Sequence, residues 1–235
     1  MIELSPRYLS LHDKKYMHYY AGHVKKVVSL CVTPVMNMFV SGSLDETLMI
    51  WDLRTPKCEG YVNLFGRPIS AISQRGNAIA AGINSESLKL FDVRFYDKPY
   101  VTMTIEDDKS TWTDLKFSSN GHSLLLSNNE STVRLINAMH GTIKHTFNGC
   151  TNNEGHPIES CFSPDSRFIF SGSTNGRIHV WSTRTMKTVC DLRGYHPRPV
   201  QCVKFNPKYT MLASACSNLG LWTTTNKNEE TEELA

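Results

Sequence analysis

The sequence lacks the features that mark membrane proteins, secreted proteins and nucleic-acid-binding proteins. Its apolar runs extend over only a few residues, whereas a membrane-spanning helix needs about 20. Residues 1–6 have neither the basic start nor the apolar stretch of a secretory signal peptide. The net charge of +3 is too small for direct binding of nucleic acid or an anionic membrane, because such binding needs a concentrated basic face. We therefore expect neither a membrane nor a nucleic acid among its partners.

The seven cysteines include no Cys-x-x-Cys pair, which argues against both a disulfide framework and a structural zinc site. The spacing of Cys150, His156 and Cys161 suggests zinc, but the paired ligands that hold a tetrahedral site are missing. The phosphate-binding pattern GxxxxGK is also absent. We expect free thiols in a reducing compartment, no metal and no cofactor.

What the sequence does contain is an internal repeat. Residues 41–52 read SGSLDETLMIWD, and residues 171–182 read SGSTNGRIHVWS. Weaker copies complete a series of apolar anchors, which fall at intervals of 42, 40, 45, 45 and 41 residues: Leu9, Trp51, Phe91, Ile136, Trp181 and Trp222. These intervals match the ~40–45 residues of a WD repeat.

Each repeat unit carries short runs of alternating apolar and polar residues, separated by turn-forming residues, and no amphipathic helix is evident. The predicted fold is all-β, a WD-repeat β-propeller with about five full blades and a partial one, which together make an incomplete seven-bladed ring. The propeller is expected over residues 1–225, with the partial blade in 1–20 and further blades in 21–225. Residues 226–235 are expected to form an acidic disordered tail. The blade count suggests that the chain is N-terminally truncated and poorly stable by itself.

The clearest unit contains a set of residues that this repeat uses as a structural tetrad: His23, Ser41, Asp45 and Trp51. We expect a hydrogen-bond chain from the Trp51 indole to Ser41, then to His23 and finally to Asp45. A catalytic triad is the alternative interpretation, but blade packing already explains these positions, so we predict no catalytic residues and no enzyme.

The other units depart from this pattern. The unit that ends near Trp181 keeps His156 but has Asn175 at the aspartate position. The two units between have Ala81 and Leu126 at the serine position. The last unit has His196 and a shortened turn before Trp222.

Several runs are more specific than the general repeat, namely residues 7–16, 22–23, 27–30, 80–86 and 213–218. Together they resemble the WD repeat-containing protein 82 family, the propeller subunit of COMPASS-type histone methyltransferase complexes. The resemblance implies a nuclear, non-catalytic protein-interaction scaffold. It implies as partners the histone methyltransferase catalytic subunit, a nuclear protein phosphatase 1 complex and the phosphorylated tail of RNA polymerase II.

Two other interpretations remain open. The tetrapeptides Trp-Asp-Leu-Arg, ending at Arg54, and Phe-Asp-Val-Arg, ending at Arg94, are of the type that substrate receptors present to the adaptor of a cullin-based ubiquitin ligase. In the simpler interpretation both arginines end a strand in solvent. The chain is alternatively a non-functional truncated copy.

Overall fold

The computed structural model describes residues 5–33, 37–72, 78–105, 110–130, 132–152 and 154–224. These residues form 21 β-strands in antiparallel sheets. No helix in this described part is long and apolar enough to cross a membrane. The predicted acidic tail, residues 226–235, lies outside the described residues.

The strands form six sheets in chain order. A two-stranded sheet, here called the half-blade, comprises β1 (Arg7–Ser10) and β2 (Lys15–Tyr19). Blade 1 comprises β3 (Val27–Val32), β4 (Met38–Ser43), β5 (Thr47–Asp52) and β6 (Cys58–Asn63). Blade 2 comprises β7 (Pro68–Ile72), β8 (Ala78–Ile83), β9 (Ser87–Asp92) and β10 (Val101–Thr104).

Blade 3 comprises β11 (Trp112–Phe117), β12 (Ser123–Asn128), β13 (Val133–Asn137) and β14 (Ile143–Phe147). Blade 4 comprises β15 (Ser160–Phe162), β16 (Phe168–Ser171), β17 (Arg177–Ser182) and β18 (Thr188–Arg193). Blade 5 has three strands in the described residues, β19 (Cys202–Phe205), β20 (Met211–Ala215) and β21 (Leu219–Thr223). The predicted all-β propeller is confirmed.

The second strand of each of the first three blades is buried on both faces, because each blade packs between two neighbours. The run Leu124, Leu125 and Leu126 in β12 is buried throughout. Leu124 and Leu126 pack against blade 2, whereas Leu125 faces blade 4. The fourth strands β6 and β10 instead alternate between partly buried and exposed residues, as expected at the outer rim of a blade.

The first strands of successive blades contact one another, from β3 through β7, β11 and β15 to β19. Strands β3, β11, β15 and β19 also line a single cavity of about 590 Å³. Strands from four separate sheets therefore converge on a common space. This arrangement makes the first strands the inner wall of the propeller.

The half-blade is joined to blade 1 through Tyr20. Its backbone N–H donates to the Pro6 carbonyl at 3.0 Å, and its hydroxyl donates to the Leu53 carbonyl at 3.1 Å. The Tyr20 ring is buried against Phe39 and Trp51, with ring centroids 4.7 and 5.5 Å away. One aromatic side chain thus fixes the chain path between the two sheets.

Candidate functional site

The structure brings the four predicted tetrad residues of blade 1 together. The Trp51 indole N–H donates to Ser41 Oγ at 2.8 Å, and Ser41 Oγ lies 2.7 Å from His23 Nε2. His23 Nδ1 lies 2.9 Å from Asp45 Oδ2. Because the Asp45 carboxylate can only accept, Nδ1 carries the hydrogen of the imidazole, and Nε2 then accepts from the Ser41 hydroxyl. The stabilising role of this chain stays a prediction.

Asp45 is the terminal acceptor of this chain. Burial alone would raise the pKa of its carboxyl group, but hydrogen bonds from the Thr47 hydroxyl, the Val24 N–H and His23 lower it to about 2. The carboxylate is therefore held as an anion by several donors at once. This environment fixes the imidazole and leaves Asp45 no free lone pair directed toward a substrate, which favours a structural role over catalysis.

Blade 5 contains a second network that the repeat comparison did not identify. The Trp222 indole N–H donates to Ser214 Oγ at 2.7 Å, and Ser214 Oγ lies 2.7 Å from His196 Nε2. His196 Nδ1 lies 3.3 Å from Cys216 Sγ, so a thiol occupies the place of the blade 1 carboxylate. The detectable signal is the separation of histidine and serine, which is 18 residues in both blades.

In blade 4 the residues retained in the sequence make different contacts. His156 Nε2 lies 2.8 Å from Glu154 Oε2, on the exposed rim. His179, on strand β17, packs against Trp181 and places Nδ1 2.7 Å from Asp191 Oδ1. The sequence match at His156 thus does not carry the hydrogen-bond chain of blade 1 into this blade.

The two arginines of the Trp-Asp-x-Arg type occupy equivalent positions in neighbouring blades, two residues beyond the ends of β5 and β9. Arg54 donates to Asp52 through Nε at 3.0 Å, and Arg94 donates to Asp92 through Nη2 at 2.9 Å. The hydrogen bonds from Arg54 lower the pKa of Asp52 to about 2, and those from Arg94 lower the pKa of Asp92. The side chains of Arg54 and Arg94 stay 72% and 56% exposed, so both remain open to a partner.

The inner wall carries a group of charged residues that sequence analysis missed. Lys116 Nζ on β11 lies 2.6 Å from Asp114 Oδ2 and 3.3 Å from Glu159 Oε2, and it donates to the Ser160 carbonyl at 2.8 Å. Lys204 Nζ on β19 lies 2.9 Å from the same Glu159 oxygen. Two cations and two carboxylates therefore balance one another beside the cavity.

The pKa values of this group reflect the same pairing. Burial by itself would lower the pKa of Lys116, but Asp114 and Glu159 raise it above its usual range. Burial would raise the pKa of Glu159, but Lys116 and Lys204 lower it. Both shifts favour the charged forms of Lys116 and Glu159, so neither residue is poised for acid–base chemistry. Across the residues that the structure describes, no group of three or more His, Cys, Asp or Glu side chains could hold a metal ion.

Comparison with known proteins agrees with this architecture. The chain matches the family described as "WD domain, G-beta repeat" over residues 14–52 and 141–182, which end at β5 of blade 1 and β17 of blade 4. It is 56% identical over 223 residues to WD repeat-containing protein 82 of Drosophila melanogaster, with 94% of this chain and 70% of the relative aligned.

Two yeast proteins are more distant relatives. The chain is 28% identical to COMPASS component SWD2 of Saccharomyces cerevisiae, over 89% of this chain and 68% of the relative. It is 24% identical to Set1 complex component swd2 of Schizosaccharomyces pombe, over 92% of this chain and 74% of the relative.

Proposed function

Since the chain belongs to the WD repeat-containing protein 82 family, we propose that it is a non-catalytic scaffold subunit of a nuclear Set1/COMPASS-type histone H3 methyltransferase complex. The observation that carries the proposal is the 56% identity over 94% of the chain. The two yeast relatives, whose names describe components of the Set1 complex and of COMPASS, support the same assignment.

The chemistry of the described residues supports a scaffold rather than an enzyme. The side chains that could act as a nucleophile or a base, such as Ser41, His23 and Asp45, are buried and engaged with one another. The charged residues of the inner wall form a balanced set. A catalytic site would need titratable groups that converge on an accessible position without already satisfying one another.

We further propose that the catalytic subunit of the methyltransferase is the principal partner, with a nuclear protein phosphatase 1 complex and the phosphorylated RNA polymerase II tail as additional partners. The exposed arginines of the propeller rim support an acidic or phosphorylated ligand, because a guanidinium binds such groups with two hydrogen bonds. Arg54 and Arg94 are presented at equivalent positions of adjacent blades, so a single extended ligand could contact both.

The experiment is affinity purification of the tagged chain from nuclear extract, followed by an assay of histone H3 methyltransferase activity in the eluate. We expect the Set1-type catalytic subunit to be enriched along with the activity. An eluate without methyltransferase, phosphatase or polymerase subunits, obtained with a chain that unfolds cooperatively, would contradict the proposal. The cooperative unfolding control separates loss of binding from failure to fold.

A second candidate function is that of a substrate receptor for a cullin-based ubiquitin ligase. The specific observation is the pair of exposed arginines next to Asp52 and Asp92. The double variant R54A/R94A tests it in the same purification, with R184A as a control at an exposed arginine of blade 4. Selective loss of a cullin adaptor in the double variant would support the receptor. Retention of methyltransferase subunits with no adaptor in any eluate would support the scaffold.

A further inference from the structure

In blade 5, Cys216 occupies the site that Asp45 occupies in blade 1. The serine is separated from the indole anchor by ten residues in blade 1, from Ser41 to Trp51, and by eight in blade 5, from Ser214 to Trp222. Three residues separate the two strands in both blades, so the difference of two lies in the strands, each of which is one residue shorter in blade 5. This shortening brings Cys216 to the end of the hydrogen-bond chain.

The donors around the two acceptors correspond closely. Asp45 accepts hydrogen bonds from His23 and from the backbone N–H two residues later, that of Thr47, at 3.1 Å. Cys216 Sγ faces His196 Nδ1 at 3.3 Å and accepts from the backbone N–H two residues later, that of Asn218, also at 3.3 Å. A site that holds a carboxylate anion in one blade is therefore repeated around a sulfur atom in another.

The donors around Cys216 favour a negatively charged sulfur. The Trp222 indole N–H donates to Ser214 Oγ, which also lies within hydrogen-bond distance of His196 Nε2. In the tautomer assigned to the histidine of blade 1, with the hydrogen on Nδ1, His196 accepts from the Ser214 hydroxyl and donates to Cys216 Sγ. With the Asn218 N–H as a second donor, this arrangement favours the thiolate over the thiol.

The other cysteines provide a contrast within the same molecule. The Asn218 N–H lowers the pKa of Cys216, burial opposes this change, and His196 lowers it further, to about 7. Burial raises the pKa of the exposed Cys58 and Cys190, and it raises that of the buried Cys150 and Cys161 to about 12. Cys216 is also accessible, because it is only partly buried and exposed residues follow it at 217–219.

We propose that Cys216 is an oxidative modification site that reacts with hydrogen peroxide, with His196 as its positioning residue. The thiolate attacks one peroxide oxygen, an S–O bond forms and the O–O bond breaks. The sulfur loses two electrons and becomes a sulfenic acid, and the peroxide is reduced to hydroxide, which takes a proton from solvent to become water.

The modification acts on the hydrogen-bond chain of blade 5. The added oxygen must lie between Sγ and the imidazole or displace the ring, so His196 loses its alignment with Ser214. The ring packs closely over Gly220, where an added Cβ would lie 3.0 Å from His196 Nε2, so it has little room to move toward that backbone. We therefore expect the environment of the Trp222 indole to change on oxidation, and its fluorescence with it.

The first test compares cysteines within the wild-type protein. The native chain is treated with limiting iodoacetamide between pH 5 and 9, and the alkylation of each cysteine peptide is followed by mass spectrometry. Cys216 is expected to react at least about three-fold faster than Cys58 and Cys190 at pH 7 and at least about six-fold faster at pH 6, since its larger thiolate fraction outweighs its lower intrinsic nucleophilicity. Equal rates for these three cysteines at pH 6 would overturn the proposal.

The second test uses peroxide together with matched variants. In wild type, a sulfenic-acid trap such as dimedone is expected to label Cys216 and to change the tryptophan fluorescence. C58S is expected to keep both responses, C216S to lose both, and H196Q to slow both. Labelling that stays on Cys58 or Cys190 and is unaffected by C216S would contradict the site.

The buried Cys150 and Cys161 report on folding in the same samples. If H196Q unfolds the chain, these two thiols will become reactive and that variant will be set aside. The alkylation rates of Cys216, Cys58 and Cys190 in the wild-type protein then test the proposal without that variant.

Discussion

At the scale of single residues, the terminal acceptor decides how a buried hydrogen-bond chain responds to its surroundings. The hydrogen-bond chains of blades 1 and 5 each contain a tryptophan, a serine and a histidine. The chain in blade 1 ends at Asp45, and the chain in blade 5 ends at Cys216. A carboxylate with a pKa of about 2 keeps its charge throughout the physiological range. A thiol with a pKa of about 7 changes its ionisation within that range, so the two blades are expected to respond differently to pH.

The first residue-scale prediction concerns Asp45→Ala. This change removes the acceptor for His23, Thr47 and the Val24 N–H and leaves the buried His23 without its carboxylate partner. We expect the free energy of unfolding to fall by about 2 kcal/mol, which lowers the Tm by about 4–8 °C for a chain of this size. Thermal unfolding by circular dichroism measures this, with D97A at an exposed turn as the control. Indistinguishable melting curves for D45A and D97A would contradict a stabilising role.

The second residue-scale prediction concerns pH. The pKa of Asp45 is about 2 in the folded chain and about 3.9 in an unfolded one, so its stabilising effect is fully present above the unfolded value. That effect is lost as the pH falls from about 4 through about 2, and it amounts to at most about 2 kcal/mol. Urea unfolding of wild type and D45N measures it. We expect the difference between the two proteins to shrink between pH 5 and pH 2, whereas a difference that stays constant over this range would argue against the assignment.

The sequence predicts the blade 1 network because its members lie at the spacing that the repeat uses. It does not predict the blade 5 network, since the segment from Ser214 to Trp222 is two residues shorter than that from Ser41 to Trp51, and Cys216 is not an expected residue at the aspartate position. The equal separation of histidine and serine hints at the correspondence, and the cross-strand register establishes it. Ser41 pairs with the residue two before Trp51, and Ser214 pairs with the residue two before Trp222.

At the scale of strands, the apolar anchors mark the same position in every sheet. Each of the six is the next-to-last residue of its strand: Leu9, Trp51, Phe91, Ile136, Trp181 and Trp222. The repeat interval therefore predicts strand ends well, because one side chain per blade must fill the same space against the neighbouring blade. Burial follows from the neighbours instead, so Trp51 is fully buried whereas Leu9 in the half-blade is 42% exposed.

The element-scale prediction concerns Gly172, which directly follows β16. A Cβ at this residue would lie 1.9 Å from the Val200 carbonyl oxygen, so the backbones of blades 4 and 5 approach too closely for any side chain. At the corresponding Gly42 of blade 1 the nearest atom is Ser29 Oγ, at 2.4 Å, which belongs to a side chain that can rotate. We expect G172A to cost about 2–4 kcal/mol of unfolding free energy and G42A less. Equal losses for the two variants in urea unfolding would contradict this account.

At the scale of the whole molecule, the first strands of the blades meet at the inner wall, and no local sequence pattern predicts which of their residues come into contact. The ion pairs of Lys116 and Lys204 with Glu159 join residues more than 40 positions apart, on first strands or next to them, in three different blades. The sequence shows each lysine between apolar neighbours, as in Leu-Lys-Phe at 115–117 and Val-Lys-Phe at 203–205. This pattern predicts a strand with one polar face. Which charges meet across the cavity depends on how the blades are arranged around it, and the sequence does not specify that arrangement.

The whole-molecule prediction compares the two lysines of this wall. Lys116 is 22% exposed and serves two carboxylates, so K116M leaves Asp114 without its cation and Glu159 with Lys204 alone. We expect a loss of about 2–4 kcal/mol of unfolding free energy, because uncompensated charge is costly where water is largely excluded. Lys204 is 56% exposed, and K204M should cost less than about 1 kcal/mol. Urea unfolding at pH 7 measures both variants. If K116M were as stable as K204M, the cavity would be hydrated enough to screen the ion pairs of Lys116. Apolar packing alone would then join blades 3 to 5.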